Sequence, residues 1–486
     1  MNPNLGTAEI VFLFTLAATF GASLLARRHS VHEADDGLAG RKLNRWLVGL
    51  SAGTTANSGF IVTAAVGLGY SYGLQWMMLP ISWLLGDLVF WHFFPARINA
   101  FGHNSQATTL SEMLKTGLNG RLAAAVSMLA ALVIVVCLTG YTSAQWLAGQ
   151  KFLAGAFRLP DYMALGLFAL MIIAYSSIGG FRGSVYTDTL QSLIRIVGTT
   201  IALVAVVISA SAEPAFSRNI ADAGKDFLNP FPGGFAAGVA FVTGFAAAAI
   251  GFGLGQPQII SRYLAGSSPE ETRSAKWIYI GFVQVTWIAM TAFGMLLRGV
   301  MPGLADPEAG LSIFFQSNIN AVATGIIVAD VFATIASTSN GLLIAMAQAV
   351  SHDLLPSFSD KHGARIPFAV ITLFVGACTM VVSVLIHGTV VSLALSSVSL
   401  MGAGLAAAVM IKIMGWKHSA MSLACAMCVG LASAVAWKYT GMGTYINESG
   451  IGMISGLAVN WLLSGWGQAS ILEQPLAQQT SASTGK

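Results

Sequence analysis

Apolar runs of about twenty residues recur from one end of the chain to the other, parted by short polar connections. A helix needs about that length to cross a hydrocarbon core about 30 Å thick. The pattern predicts thirteen helices, near residues 7–26, 48–70, 74–96, 121–150, 161–178, 187–210, 231–256, 276–298, 318–349, 366–388, 390–412, 418–438 and 447–467. Short alternating segments, the signature of a membrane β-barrel, are absent. The first run, EIVFLFTLAATFGASLLA, has Arg27 and Arg28 after it rather than a basic segment before it, so it reads as a retained span. The connection 211–230 is the longest expected on the outer side and has room for a short amphipathic helix. The polar stretch after Gly467 is too short to be a further module.

Composition turns this pattern into a class. Of the 486 residues 55% are hydrophobic and only 9% charged, where a soluble domain carries roughly a quarter. The chain reads as an all-α polytopic membrane protein. Its net charge of +4 reflects loop asymmetry rather than nucleic-acid binding. With the N-terminus outside and the C-terminus in the cytoplasm, seventeen Lys and Arg fall on the inner side, Arg262, Lys361, Arg365 and Lys486 among them, and six on the outer side. Cys137, Cys378, Cys425 and Cys428 lie in or beside apolar runs and read as small buried residues, not as a disulfide framework or a metal site.

Some spans carry more hydrogen-bonding capacity than lipid tolerates. SAGTTANSGF, residues 51–60, crowds hydroxyls, an amide and two glycines into ten positions. A helix breaks at membrane depth only where it faces protein, ions or water, because an unpaired amide or carbonyl in lipid is costly. Gly53 and Gly59 make unwinding cheap, and Thr54, Thr55, Asn57 and Ser58 can satisfy what it frees. The competing reading is a tight helix contact of small residues. In VADVFATIASTSNG, residues 328–341, Asp330, Thr334, Ser337, Thr338 and Gly341 form a stripe along one helix. Carbonyls from an unwound helix and hydroxyls from a neighbour make an oxygen set suited to sodium. A third segment, GFGLGQP at 251–257, sets three glycines before a proline. It lies five spans after the first; two five-helix units of opposite orientation, each opening with a broken helix, are what an inverted-repeat transporter requires. The competing reading is a Gly-rich helix end. Asp87 and Asp330 are predicted within spans, where a carboxylate faces a cavity or a partner. Asp188, nearer an inner boundary, either caps the next helix or attracts a cation leaving inward.

Four segments, SAGTTANSG at 51–59, YSSIGGFRGSVYTDTLQ at 175–191, GLGQPQIISRYLA at 253–265 and STSNGLLIAMAQAVSHDL from Ser337 to Leu354, resemble the sodium/solute symporter family, most closely its bacterial sodium/proline branch. The resemblance runs over roughly residues 8 to 440. It implies a core of ten helices, the second to the eleventh, in two inverted five-helix repeats. The parts are a first helix and basic inner loop (1–47), the first repeat (48–210), an outer loop and second repeat (211–412), and two peripheral helices with a tail (413–486). The implied activity is sodium-coupled secondary active uptake of a small organic solute by alternating access across the bacterial plasma membrane, with an amino acid such as proline one candidate. Sodium is then a co-substrate and no cofactor is expected. The partners are the solute, sodium and membrane lipid, and no homo-oligomer is required.

Matched residue by residue, the resemblance puts sodium's hydroxyl ligands at Ser337 and Thr338 and its carbonyl ligands at Thr334, Thr54 and Asn57. Asp188 matches an aspartate tied to ion release or to the surroundings of that site. The departures concern the solute. Ala56 stands where the proline branch has an essential carboxylate, and an unpaired Asp330 either replaces that charge or binds a substrate ammonium. Ala249 and Gly253 replace two aromatic substrate contacts and Phe60 a tryptophan, whereas Tyr141, Gln256 and Pro257 are retained. An enzyme would need a convergent His/Glu cluster, a nucleophile elbow or a metal-ligand spacing, none of which the sequence carries. A channel, a transporter-like sensor and a proton-coupled symporter remain as alternatives.

Overall fold

The computed structural model describes residues 6–28, 38–318, 321–355, 367–386, 388–444 and 446–464, and its architecture there is a helical bundle. Among the described residues nine helices are long and apolar enough to cross a membrane, and Ile10–Ala22, Gly59–Tyr72 and Asp161–Ala174 are shorter apolar ones. The outward faces carry Phe14, Val136, Ile208, Val285 and Phe374, while Thr54, Asp188, Asp330 and Thr338 lie inside. Apolar groups thus face the lipid and polar groups meet one another in the interior. Of the cysteines only Cys137 is buried; Cys378 and Cys428 are on the outer, lipid-side surface, where an apolar thiol is equally at home. The connection expected to hold a short helix does so, at Phe216–Asp222. Lys361, Arg365, Lys486 and the tail lie outside the described residues.

Two of the helices are broken, and the breaks organise the rest. Arg45–Ala56 ends at Asn57 (φ −85°, ψ 70°), and Ser58 then caps Gly59–Val62, its hydroxyl accepting from the Phe60 N–H. Ala64–Tyr72 completes this crossing. Phe235–Gly255 is interrupted at Gln256 (φ −93°, ψ 102°) and resumes as Pro257–Leu264, with proline at the position where its missing N–H costs nothing. Leu43, just before the first broken helix, pairs with the strand-like turn just after the second: its N–H donates to Ala265 O at 3.1 Å and its carbonyl accepts from Ser267 N at 2.9 Å. The first broken helix therefore begins where the second ends, and the two run in opposite directions. Arg45 and Glu271 add a two-pronged ion pair at the same face, 2.6 Å at its shorter contact.

The helices expected at 161–178 and 187–210 are both present and run together within Asp161–Ala212, joined by a kink at which Gly180 leaves helical geometry (φ 57°, ψ −163°). The connection is tighter than the gap between the two expected spans, because a single residue that tolerates positive φ absorbs the turn. Asp188 consequently lies well inside a helix rather than at the start of one. Ala321–Gln348 packs along this element, and Gly198 makes the approach possible: a Cβ there would overlap the Asp330 side chain.

Candidate functional site

The first break leaves two carbonyls without their helical amides. Ser58 N–H turns back to Ala56 O at 3.0 Å and Gly59 N–H goes to Gln145 Oε1 at 2.9 Å, so neither is available to Thr54 O or Thr55 O four residues earlier. Those carbonyls are met from Ala321–Gln348 instead: Ser337 Oγ donates to Thr54 O at 3.1 Å and Thr338 Oγ1 donates to Thr55 O at 3.0 Å. All four residues are buried. Of the ligands expected from sequence, Thr54, Ser337 and Thr338 come together, and Thr55 joins them. Asn57 and Thr334 are engaged elsewhere through their side chains. Asn57 Nδ2 donates to Thr286 Oγ1, while Asn57 Oδ1 has no partner among the described residues. Thr334 Oγ1 donates to Asp330 Oδ1 at 3.3 Å. Each hydroxyl can rotate its proton away, and the pairs then present neutral oxygens to a monovalent cation.

Asp188 lies directly beside this set. Its Oδ2 accepts from Ser51 Oγ at 2.7 Å and from Thr55 Oγ1 at 3.3 Å, both on the first half-helix, and from Arg262 Nη2 at 3.2 Å. Arg262 also donates to Gln258 O at 2.6 Å, Ser184 Oγ at 2.7 Å and Ser51 Oγ at 3.2 Å, and its guanidinium lies over the Phe181 ring. The expectation that Arg262 is a loop cation is thus corrected: it is fully buried and ties Pro257–Leu264 to the first broken helix and to Asp188. Asp188 Oδ1 has no partner among the described residues, which leaves a carboxylate oxygen free next to the hydroxyl–carbonyl pairs.

The expectation of an unpaired Asp330 is corrected as well. Arg195 Nη1 donates to its two oxygens at 3.1 and 3.3 Å, with both side chains 1% exposed. Sequence reasoning missed Arg195, although it is the one Lys or Arg left when the loop cations are counted.

Next to the break, a partly open cavity, about 500 Å³ with the solvent space at its mouth included, is lined by Asn57, Ser58 and six aromatic residues, Phe60, Trp83, Tyr141, Phe252, Tyr279 and Trp287. The rings of Phe60 and Trp83 each meet Trp287, at 5.8 and 5.4 Å between centroids. Phe60 and Tyr141 line it as expected; Ala249, Gly253, Gln256, Pro257 and Asp330 are not among its lining residues. Ala249 packs where Gly86 leaves room, Gly253 faces the Phe90 ring, and Gln256 Oε1 accepts from Gln258 Nε2 at 2.7 Å. The helical phase explains this: Phe252, between the two small residues, turns to the cavity and rebuilds an aromatic wall that the substitutions at 249 and 253 suggested was lost.

A helix break that offers oxygens beside an aromatic cavity is the arrangement a cation-coupled membrane transporter uses. The family model of the sodium:solute symporters matches residues 37–431. The osmoregulated proline transporter OpuE of Bacillus subtilis (strain 168) is 24% identical over 479 residues, covering 93% of this chain and 95% of that protein. The sodium/proline symporter of Staphylococcus aureus is 25% identical over 334 residues, 68% of this chain and 64% of the relative, so the chain spans less than two thirds of that protein's length. In fold, the chain is similar to a Na+-coupled sialic acid symporter in a substrate-bound outward-open state (TM-score 0.79, 18% identity, covering 95% of this chain and 98% of the other). It also resembles Mhp1, a nucleobase-cation-symport-1 family transporter (TM-score 0.51, 12% identity, 88% and 92% covered). The chain belongs to the sodium:solute symporter family. Its activity is sodium-coupled secondary transport of a small organic solute in a bacterial plasma membrane, with sodium as co-substrate; it is not an enzyme.

Proposed function

We propose that sodium binds where the first broken helix meets Ala321–Gln348, held by Thr54, Asn57, Thr334, Ser337 and Thr338, and that the adjoining aromatic cavity holds the solute. The observation that carries this reading is the pairing of Ser337 and Thr338 hydroxyls with the Thr54 and Thr55 carbonyls at a helix break. Asp188, with one free oxygen beside those pairs, is where sodium passes on its way inward. Residues 48–210 and 211–412 act as two inverted repeats that alternate access to the site, flanked by a first helix within 1–47 and two peripheral helices within 413–486. The opposite directions of the two broken helices, stitched at Leu43 and Ala265–Ser267, support that division. Nine long helices, three shorter apolar ones and Glu448–Leu463 together make thirteen crossings, with the N-terminus outside and the C-terminus inside by the loop charges. One chain is the transporting unit. The solute class includes amino acids such as proline, the substrate in the names of both relatives.

Uptake by Thr338→Ala tests the placement. The half-saturating sodium concentration should rise about tenfold with expression unchanged, as expected for loss of one ligand worth about 1.4 kcal/mol. An unaltered sodium dependence would move the site elsewhere, and uptake driven equally by a proton gradient would favour proton coupling.

A further inference from the structure

Three carboxylates are buried in the long membrane-crossing helices among the described residues: Asp87, Asp188 and Asp330. Arg262 pairs with Asp188 and Arg195 with Asp330. Asp87, 1% exposed, has no such partner: its buried Oδ2 accepts no hydrogen bond, and no Lys, Arg or His pairs with it among the described residues. A buried carboxylate without a counter-charge is among the costliest groups a membrane helix can carry, and the cost is met when a cationic partner arrives.

The surroundings of Asp87 connect it to the solute cavity. Trp83, one turn earlier on Leu74–Phe93, lines that cavity, and Trp91, one turn later, meets Tyr279 at 5.0 Å and Tyr263 at 5.2 Å between ring centroids. Tyr279 lines the cavity too, so the ring chain from Trp91 leads from the turn after Asp87 to the cavity wall. Trp91 Nε1 and Tyr263 Oη are likewise without partners. The cavity lining includes no Lys, Arg or His, and so offers an anionic group no counter-charge. It does offer six aromatic rings, whose faces attract cations, and Trp83 among them stands one helical turn from a buried carboxyl group with an unpartnered oxygen.

We propose that Asp87 is the counter-charge for a positively charged solute, and that the cavity selects an organic ammonium, protonated amine or quaternary, with an apolar body. This rests on reading the cavity as the solute site. It also supplies the negative charge absent at Ala56, which Asp330, paired with Arg195, does not supply. A second inorganic cation at Asp87 is the less favoured occupant, because aromatic neighbours provide few of the oxygens that sodium needs.

Matched isosteres test the charge without any mutation. Choline against 3,3-dimethylbutanol, and proline against cyclopentanecarboxylate, differ chiefly in whether a cationic nitrogen or a carbon occupies one position. Binding to the purified full-length protein, with and without sodium, is read from tryptophan fluorescence. At least one cationic member should bind about tenfold or more tightly than its carbon counterpart. Asp87→Asn should bring that ratio near one while sodium still raises the melting temperature, and Asp87→Glu should keep most of the preference. The proposal is overturned if neither choline nor proline binds, if each pair binds equally, or if Asp87→Asn retains the ratio. A wild type whose melting temperature ignores sodium would instead count against the sodium site, leaving the isostere ratio to judge Asp87.

Discussion

Ser337 and Thr338 show how a helix break is satisfied from a neighbouring helix: each hydroxyl takes over a carbonyl that a regular helix would have kept for its own amide. Removing the Ser337 hydroxyl should act in the same direction as Thr338→Ala, raising the sodium requirement more than it lowers the melting temperature. The Arg195–Asp330 pair should behave differently. Breaking it from either side, by Arg195→Met or Asp330→Leu, leaves an uncompensated buried charge and should cost about 3–5 kcal/mol, whereas the double variant should recover most of that loss; thermal unfolding of the three proteins measures it. At this scale the hydroxyls, the amide and the buried acids were legible, because each is conspicuous in an apolar run. Arg195 and Arg262 were not. A cation reads as a loop residue until the acid opposite it is known, and Asp330 and Asp188 come from distant parts of the chain.

Among the elements, breaks were easier to foresee than bends. Gly and Pro at 251–257 and the small polar cluster at 51–60 lower the cost of unwinding, and both crossings are interrupted there. The bend at Gly180 is narrower than the sequence suggested, since only a dihedral reveals that one residue carries it. Gly180→Ala meets no atom within 4 Å but must hold a positive φ, so it should cost about 1–3 kcal/mol; Gly166→Ala, equally unobstructed and in an ordinary helical position, should cost nothing. Melting temperatures of the two variants check the contrast. Helical phase was the other hidden quantity: motif matching put Ala249 and Gly253 on the pocket, whereas Phe252 faces it. At the loop helix Leu110–Lys115, burial raises the Glu112 pKa but the His352 imidazole 3.6 Å away and hydrogen bonds from Thr108 outweigh it, holding the group down from 4.5 to about 2. A depressed carboxylate stabilises the fold fully above the unfolded value and loses that contribution as pH falls from about 4.5 toward 2. Acid titration of the melting temperature should therefore be steeper in the wild type than in Glu112→Gln.

The molecule as a whole joins two broken helices of opposite direction, a neutral oxygen set at one break, and an aromatic cavity beside it. Membrane class and family follow from the apolar pattern and four motifs, which are properties of sequence alone; the solute does not, because it depends on which faces of several helices meet. The most direct test is solute accumulation by the purified protein in liposomes under an inward sodium gradient, an inward proton gradient, or neither, with Thr338→Ala alongside. Accumulation above equilibrium is expected with sodium only, at a half-saturating sodium concentration about tenfold higher in the variant. Equilibration without accumulation, or accumulation that ignores sodium or the Thr338 hydroxyl, would contradict that expectation.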